Sequence, residues 1–346
     1  MELSVVVTAL NDRPSLVSCL DELREEVPTG SECIVVNGPS TDGTTGIVRE
    51  RADVDVLVEI SERSRSVARN AGIEVATGEA IAFVHPEYAV QSGWYDAIET
   101  ALQAETDVIT GPVKRDGTGS APESIHIAKR TVTPFTSGNV AFDGAVLDRL
   151  DGFDEALETE SASDCAHRLA ANAYTVTWSP DMAVSLDGER SNGDPTWGER
   201  YWALGYRLAK NYGPRPTVFA RTVGSALADG FDDARGMVRG AVAPTAWLRN
   251  GTDVVVNSMT GLSHGFRARY ADRTPRRNPR GVSSRHDRAV QIYDRRDAAE
   301  AAGSGDADEA EGTDGTDAEA DPPRDGAGRD STDSLDASAT DDETAA

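Results

Sequence analysis

Four short apolar runs, rich in β-branched residues and separated by helix-length polar segments, constrain this chain more than any other feature. Residues 3–9 read LSVVVTA and 33–36 read CIVV; a third run lies near 54–58, and 80–84 reads AIAFV. Runs that are apolar at every position, rather than alternating, belong to strands covered on both faces. Between them the spacing predicts helices over about 13–26, with Leu16, Leu20 and Leu23 on one face, after the turn NGPSTDGT, where Ser40 or Asp42 can cap, and over 63–76. This alternation predicts an α/β fold with a doubly wound, mostly parallel sheet. Right-handed crossovers bring the carboxyl ends of such strands to one edge, where ligands bind. Thr8, Leu10 and Asn11, then Asn37, then His85 and Glu87, are expected to share that edge.

The fourth run ends abruptly in His85-Pro86-Glu87, with Gly93-Trp94 a few residues on. Proline locks φ and so fixes the two flanking side chains relative to each other. A carboxylate oxygen and an imidazole nitrogen so held suit a divalent cation, manganese more readily than magnesium. The other reading of the segment is an ordinary strand-ending turn.

After residue 106 the alternation stops. Helices are expected over 143–150, 161–172, 196–212 and, broken by glycine and proline, roughly 216–270. Charge divides the chain into three blocks. Residues 1–199 hold 35 acidic and 14 basic residues (net −21), residues 200–296 hold 7 and 18 (net +11), and residues 297–346 hold 17 and 2 (net −15). The last block has hardly any large apolar residue, cannot bury a core and is expected to be disordered. The expected organisation is therefore a domain over 1–195, a basic helical region over 196–296 and an acidic tail over 297–346.

Acid-rich composition with lysine only at positions 114, 129 and 210 points to a protein kept hydrated in high salt. Cys19, Cys33 and Cys165 lack disulfide or metal spacing, which fits a reducing, cytoplasmic compartment. The start MELSVVVTAL reads as a strand rather than a signal peptide, and no run is long enough to span a membrane. The arginine-rich stretch 267–288 has one interleaved aromatic, Tyr270, and no nucleic-acid-binding module, so no nucleic-acid partner is expected. Two readings stay open for the basic region: peripheral contact with anionic lipid at the cytosolic face, or arginines paired with the acidic domain.

Four segments, SVVVTALNDRPSLVSCLDEL, ECIVVNGPSTDGTTGIVRE, SVARNAGIEVATGEAIAFVHPE…GW and TSGNVAFDGAVLDRLDGFDE…HRLA, together resemble the family 2 glycosyltransferases of GT-A fold over about residues 1–185. The resemblance implies transfer of a sugar from a nucleotide-activated donor, with inversion. It places Thr8, Leu10, Asn11, Asn37, Arg69 and Asn70 at the nucleotide, with the Arg69 fork on phosphate oxygens or else in a surface ion pair. The Asp-X-Asp cation site falls on His85 and Glu87, implying Mn or Mg. Trp94 falls on the acceptor side, with core packing as its alternative, and Asn139 is assigned there too. The Glu-Asp pair that carries the base falls on Ser161-Ala162, neither able to take a proton, which leaves Glu160 and Asp164 as the nearest carboxylates. Salt adaptation together with the resemblance implies an archaeal enzyme of surface-glycan assembly, moving a hexose or hexuronic acid onto a glycan on dolichyl phosphate for S-layer N-glycosylation. The rival expectation is a catalytically degenerate subunit that binds a partner enzyme or a glycan.

Overall fold

The computed structural model describes residues 1–115, 119–186, 196–216, 220, 224, 244–271 and 277–296, all within one unit, Met1–Ala299. The first half runs β1 (Leu3–Ala9), α1 (Arg13–Glu26), β2 (Glu32–Asn37), α2 (Thr44–Glu50), β3 (Val56–Ile60), α3 (Arg65–Val75), β4 (Ala80–Val84), β5 (Tyr88–Val90), α4 (Trp94–Gln103), β6 (Val108–Thr110) and β7 (Val113–Lys114). It continues through the hairpin β8 (Ile125–Ile127) and β9 (Arg130–Val132), then β10 (Asn139–Asp143), α5 (Gly144–Leu150), α6 (Ser161–Ala171), β11 (Val176–Trp178) and β12 (Val184–Leu186). Two helices, α7 (Trp197–Tyr212) and α8 (Pro244–Ala271), and a last strand, β13 (Ala289–Asp294), complete the described chain.

An eight-stranded sheet ordered β11-β6-β10-β4-β1-β2-β3-β13 forms the centre, and β5-β12-β7 form a small second sheet. β4, β1, β2 and β3 run parallel, as the continuous apolar runs require, whereas β10 and β13 run antiparallel to their neighbours. The pleat sends Val5 and Val7 of β1 into one core layer with Leu16, Leu20 and Trp94; Val6 faces the other, with Ala71, Phe83 and Phe153. Helices thus cover both faces, and the carboxyl ends of β1 to β4 open on one edge.

The first four strands and α1 fall where the sequence pattern puts them. The region 196–296 holds the helices α7 and α8, as expected, and ends in a strand that the sequence reading did not foresee. After α8 the chain returns, and β13 pairs with β3 at the sheet edge. Some of its arginines pair with the domain: buried Arg288 bonds Glu155 through Nε and Glu74 through Nη1, each at 2.5 Å. Arg285 pairs with Glu62 at 2.6 Å and Arg296 with Glu32 at 2.5 Å. Within the arginine-rich stretch 267–288, Arg285 and Arg288 pair with acids of the first domain, as the second of the two open readings has it. The tail 297–346 and residues 217–219, 221–223 and 225–243 lie outside the described residues.

α7 and α8 cross at very close range. A β-carbon at Gly205 would lie 2.7 Å from the Ser258 carbonyl oxygen and 3.0 Å from the Leu262 nitrogen, both backbone atoms with nowhere to yield. Gly205→Ala would gain up to ~1 kcal/mol of helix propensity, yet overpacking costs roughly 1–3 kcal/mol. A net loss of about 1–2 kcal/mol is therefore expected, read as a lower denaturation midpoint.

Candidate active site

The carboxyl ends of β1, β2, β3 and β4 enclose a cleft of about 450 Å³. Thr8 and Leu10 from the first strand end, Gly38 from the second and His85 from the fourth line it, facing Arg65 and Ala68 of α3 and the loop residues Glu158 and Thr159. Asn11 stands exposed at the rim with φ 56°. Its N–H donates to Ser40 Oγ at 2.9 Å and its Oδ1 accepts the Thr41 N–H at 2.8 Å, which ties the β1 loop to the β2 loop. Asp42 accepts from the Thr44 N–H and hydroxyl, but the residue at the start of α2 is Gly43 in a left-handed conformation, so neither Ser40 nor Asp42 is the cap.

The His85-Pro86-Glu87 segment is a tight turn closed by the Tyr88 N–H donating to the His85 carbonyl at 2.9 Å. His85 Nδ1 accepts the Glu87 N–H at 3.2 Å and lies 3.8 Å from Glu87 Oε2. Asp12, half-buried in the same cleft, has its carboxyl pushed above the usual range, first by burial and then by the neighbouring Glu87 charge. Among the described residues no group of three or more His, Cys, Asp or Glu is placed to hold a metal ion by itself. His85 lies against Glu87, and the Glu87 charge acts on Asp12; a diphosphate-bound cation needs only one or two protein carboxylates.

Arg69 is buried on the sheet side of α3. Its Nη1 donates to Ser161 Oγ at 3.2 Å and its Nη2 to Ser137 Oγ at 2.9 Å, and its guanidinium carbon sits 5.3 Å from the centre of the Phe153 ring. No carboxylate pairs with it among the described residues, and burial, helped by Arg65, lowers its pKa to about 10. It is thus neither a surface residue nor part of an ion pair. Removing a charge from water without a counter-ion is strongly unfavourable.

Several residues assigned to the site from sequence belong elsewhere. Asn37 is buried, donates to Thr45 and accepts from Ser40, so it shapes the β2 turn rather than reading a base. Asn70, fully buried, brackets Phe153 with its amide: Nδ2 donates to the carbonyl at 2.9 Å, and Oδ1 accepts the N–H at 2.8 Å. It pins the GFDE turn to α3 and has no exposed atom for a nucleotide. Trp94 is core, its Nε1 donating to Asn139 Oδ1 at 2.9 Å, and Asn139 in turn donates to the Met182 carbonyl at 2.9 Å. Neither lines an acceptor surface.

The two carboxylates proposed as base are also occupied. Asp164 has no exposed surface, and Lys210 Nζ (2.8 Å), Arg168 Nε (2.9 Å) and Asn211 Nδ2 (2.8 Å) all donate to it. Burial opposes its charge, but Lys210 and Arg168 outweigh that and hold its carboxyl far below the usual range. Glu160 caps α6 in a left-handed conformation (φ 63°) and pairs with Arg207 of α7. Its carboxyl is lowered as well, since Arg207 and Ser163 overcome the effect of burial. The cleft carboxylates are instead Asp12, Glu62 and Glu158. Asp12 follows the β1 run directly and could have been found from strand-end position alone; Glu158 sits in a loop with no periodicity to place it.

The model of the family described as glycosyl transferase family 2 matches residues 4–153. An uncharacterized glycosyltransferase of Escherichia coli K12, YibD, is 34% identical over 111 residues, 31% of this chain and 32% of that protein. The matched stretch spans about a third of the length of the first two curated relatives. Glycosyltransferase AglE of Haloferax volcanii is 24% identical over 247 residues, 68% of this chain and 73% of that protein. The fold is shared with the mannosyltransferase PcManGT of Pyrobaculum calidifontis, solved with GDP-Man and Mn2+ (TM-score 0.51, 20% identity, 79% of this chain and 88% of that one). It is also shared with TarS of S. aureus, solved with UDP-GlcNAc (TM-score 0.50, 19% identity, 76% of this chain and 91% of that one). Residues 4–153 thus carry a glycosyl transferase family 2 domain, within a chain that shares its fold with a solved mannosyltransferase.

Proposed function

We propose that the protein transfers a hexose or hexuronic acid, with inversion, from a nucleotide-sugar donor to a glycan carried on a lipid phosphate such as dolichyl phosphate, in the assembly of surface glycoprotein such as an archaeal S-layer. The observation that carries the reading is Arg69, a buried guanidinium with hydroxyl but, among the described residues, no carboxylate partners, one residue on from Ala68 of the cleft wall. A diphosphate is the anion that such a fork fits. Thr8, Leu10, Asn11 and Gly38 offer the walls and rim for the nucleoside. Asp12, Glu87 and His85 would hold a divalent cation, Mn or Mg, which when bound neutralises charge developing on the departing diphosphate.

The archaeal and lipid-linked parts of the reading are supported by the acid-rich, lysine-poor composition and by likeness to a Haloferax volcanii glycosyltransferase. Among the described residues no helix is long and apolar enough to cross a membrane. Contact with the cytosolic face falls to α8, where Val255, Val256 and Met259 are 56–62% exposed on the side away from α7 and Arg267 is exposed further along. A second reading, a glycosyltransferase-like subunit without turnover, is favoured by the engagement of Asp164 and Glu160 in ion pairs.

Released nucleoside diphosphate, measured at high salt with candidate nucleotide sugars, Mn or Mg, and lipid-phosphate acceptors, tests the proposal. Turnover is expected, and Glu87→Ala is expected to lower it by about 10–100-fold through loss of cation charge at the leaving group. Nucleotide binding without turnover under any of these conditions would favour the subunit. Because Asp12 stays protonated to higher pH than an ordinary aspartate, cation binding is expected to fade as pH drops into the carboxylate range.

A further inference from the structure

The position that the family's base should occupy is empty of carboxylate, and the neighbouring acids are disabled for different reasons. Ala162 is apolar, Asp164 is locked by Lys210, Arg168 and Asn211, and Glu160 is turned toward Arg207. A base must be able to reach the acceptor hydroxyl and take its proton. Three carboxylates line the cleft. Glu62 is held by Arg285 at 2.6 Å, beyond the end of β3 and beside Gly38, at the end that receives the nucleoside. Asp12 faces Glu87 on the diphosphate side. Glu158 lies on the loop between the GFDE turn and α6, exposed to water, and no cation pairs with it among the described residues.

We propose that Glu158 is the general base of sugar transfer; the assignment rests on the reading of the cleft as a nucleotide-sugar site. The acceptor hydroxyl oxygen forms a bond to the anomeric carbon while its proton passes to the Glu158 carboxylate. The bond from that carbon to the diphosphate oxygen breaks, and its electron pair leaves with the nucleoside diphosphate. Exposure lets the protonated carboxyl return its proton to solvent, which the buried Asp164 could not do. The charged groups on the facing walls are Arg63 and Arg65 at the start of α3, His85 at the end of β4, and Asp12 and Glu62.

Transfer kinetics of Glu158→Gln, Glu158→Ala and Glu160→Gln, with binding of uridine and guanosine diphosphates measured in parallel, test the assignment. Glu158→Gln is expected to lower kcat by roughly 10²–10⁴-fold, to leave diphosphate binding unchanged and to remove the acid limb of the pH–rate profile. Formate is expected to restore part of the activity of Glu158→Ala, a rescue that a purely structural role would not give. Glu160→Gln is expected to stay within a few-fold of wild type. Wild-type turnover that persists in Glu158→Gln, or parallel loss of diphosphate binding, overturns the base while leaving the transferase reading intact. A wild type that binds diphosphate yet turns over no donor overturns both.

Discussion

Lys210→Met is expected to destabilise the folded protein by about 3–5 kcal/mol, the range for breaking a buried ion pair from one side. Lys210 has no exposed surface and its ammonium reaches both Asp154 and Asp164, which are equally buried. Tyr206 also donates to Asp154 at 2.9 Å, and Arg168 links Asp164 to the Leu150 and Gly152 carbonyls at 2.7 and 2.9 Å. The cluster therefore bolts α7 to α6 and to the GFDE turn. Methionine fills a similar volume but leaves two carboxylates facing each other in a dry interior, and desolvation then dominates. The pH dependence has a definite sign. Asp164 is held below its unfolded value, so its contribution is complete above about pH 4 and is lost as pH falls through the folded value. Chemical denaturation of wild type and variant at pH 7 measures the effect; a loss under 1 kcal/mol would show that the cluster is not dry.

Arg69→Leu is expected to act in the opposite way. The variant should fold with stability equal to or above that of wild type, because a desolvated charge without a counter-ion is removed. Binding of uridine or guanosine diphosphate should weaken by roughly 30- to 5,000-fold, matching the roughly 2–5 kcal/mol assigned to one member of a buried charge pair. Calorimetry on the pure protein reads both quantities. Unchanged binding with a large drop in denaturation midpoint would make Arg69 a packing residue, held by Ser137, Ser161 and the Phe153 ring. Gain of stability with loss of ligand is the signature of a group kept for function.

The family resemblance and the fold could be read from sequence because both depend on local pattern. β1 and β4 announce themselves as continuous apolar runs, α1 by Leu16, Leu20 and Leu23, and their order alone implies a strand-end cleft. Thr8, Leu10 and His85 were found on the same ground, since a residue just after a parallel strand faces that edge whatever its side chain. Motif position was a poorer guide to side-chain role. Trp94, Asn139 and Asn70 stand at the right places in the chain, but their side chains turn into the protein, where each satisfies a buried backbone or indole group. Such direction depends on partners distant in sequence, which no spacing encodes.

Charge shows the division most clearly. Sequence by itself determined that the middle of the chain is basic and the first half acidic, and that a layered α/β domain must form, because backbone period and apolar content are properties of neighbouring residues. Only tertiary structure decided which charges meet. It brought Arg285 and Arg288 across more than a hundred residues to Glu62, Glu74 and Glu155, closed Lys210 over Asp164, and gave Arg69 two serine hydroxyls but no acid among the described residues. Electrostatic energy depends on distance and on exclusion of water, and both are set by the packed fold.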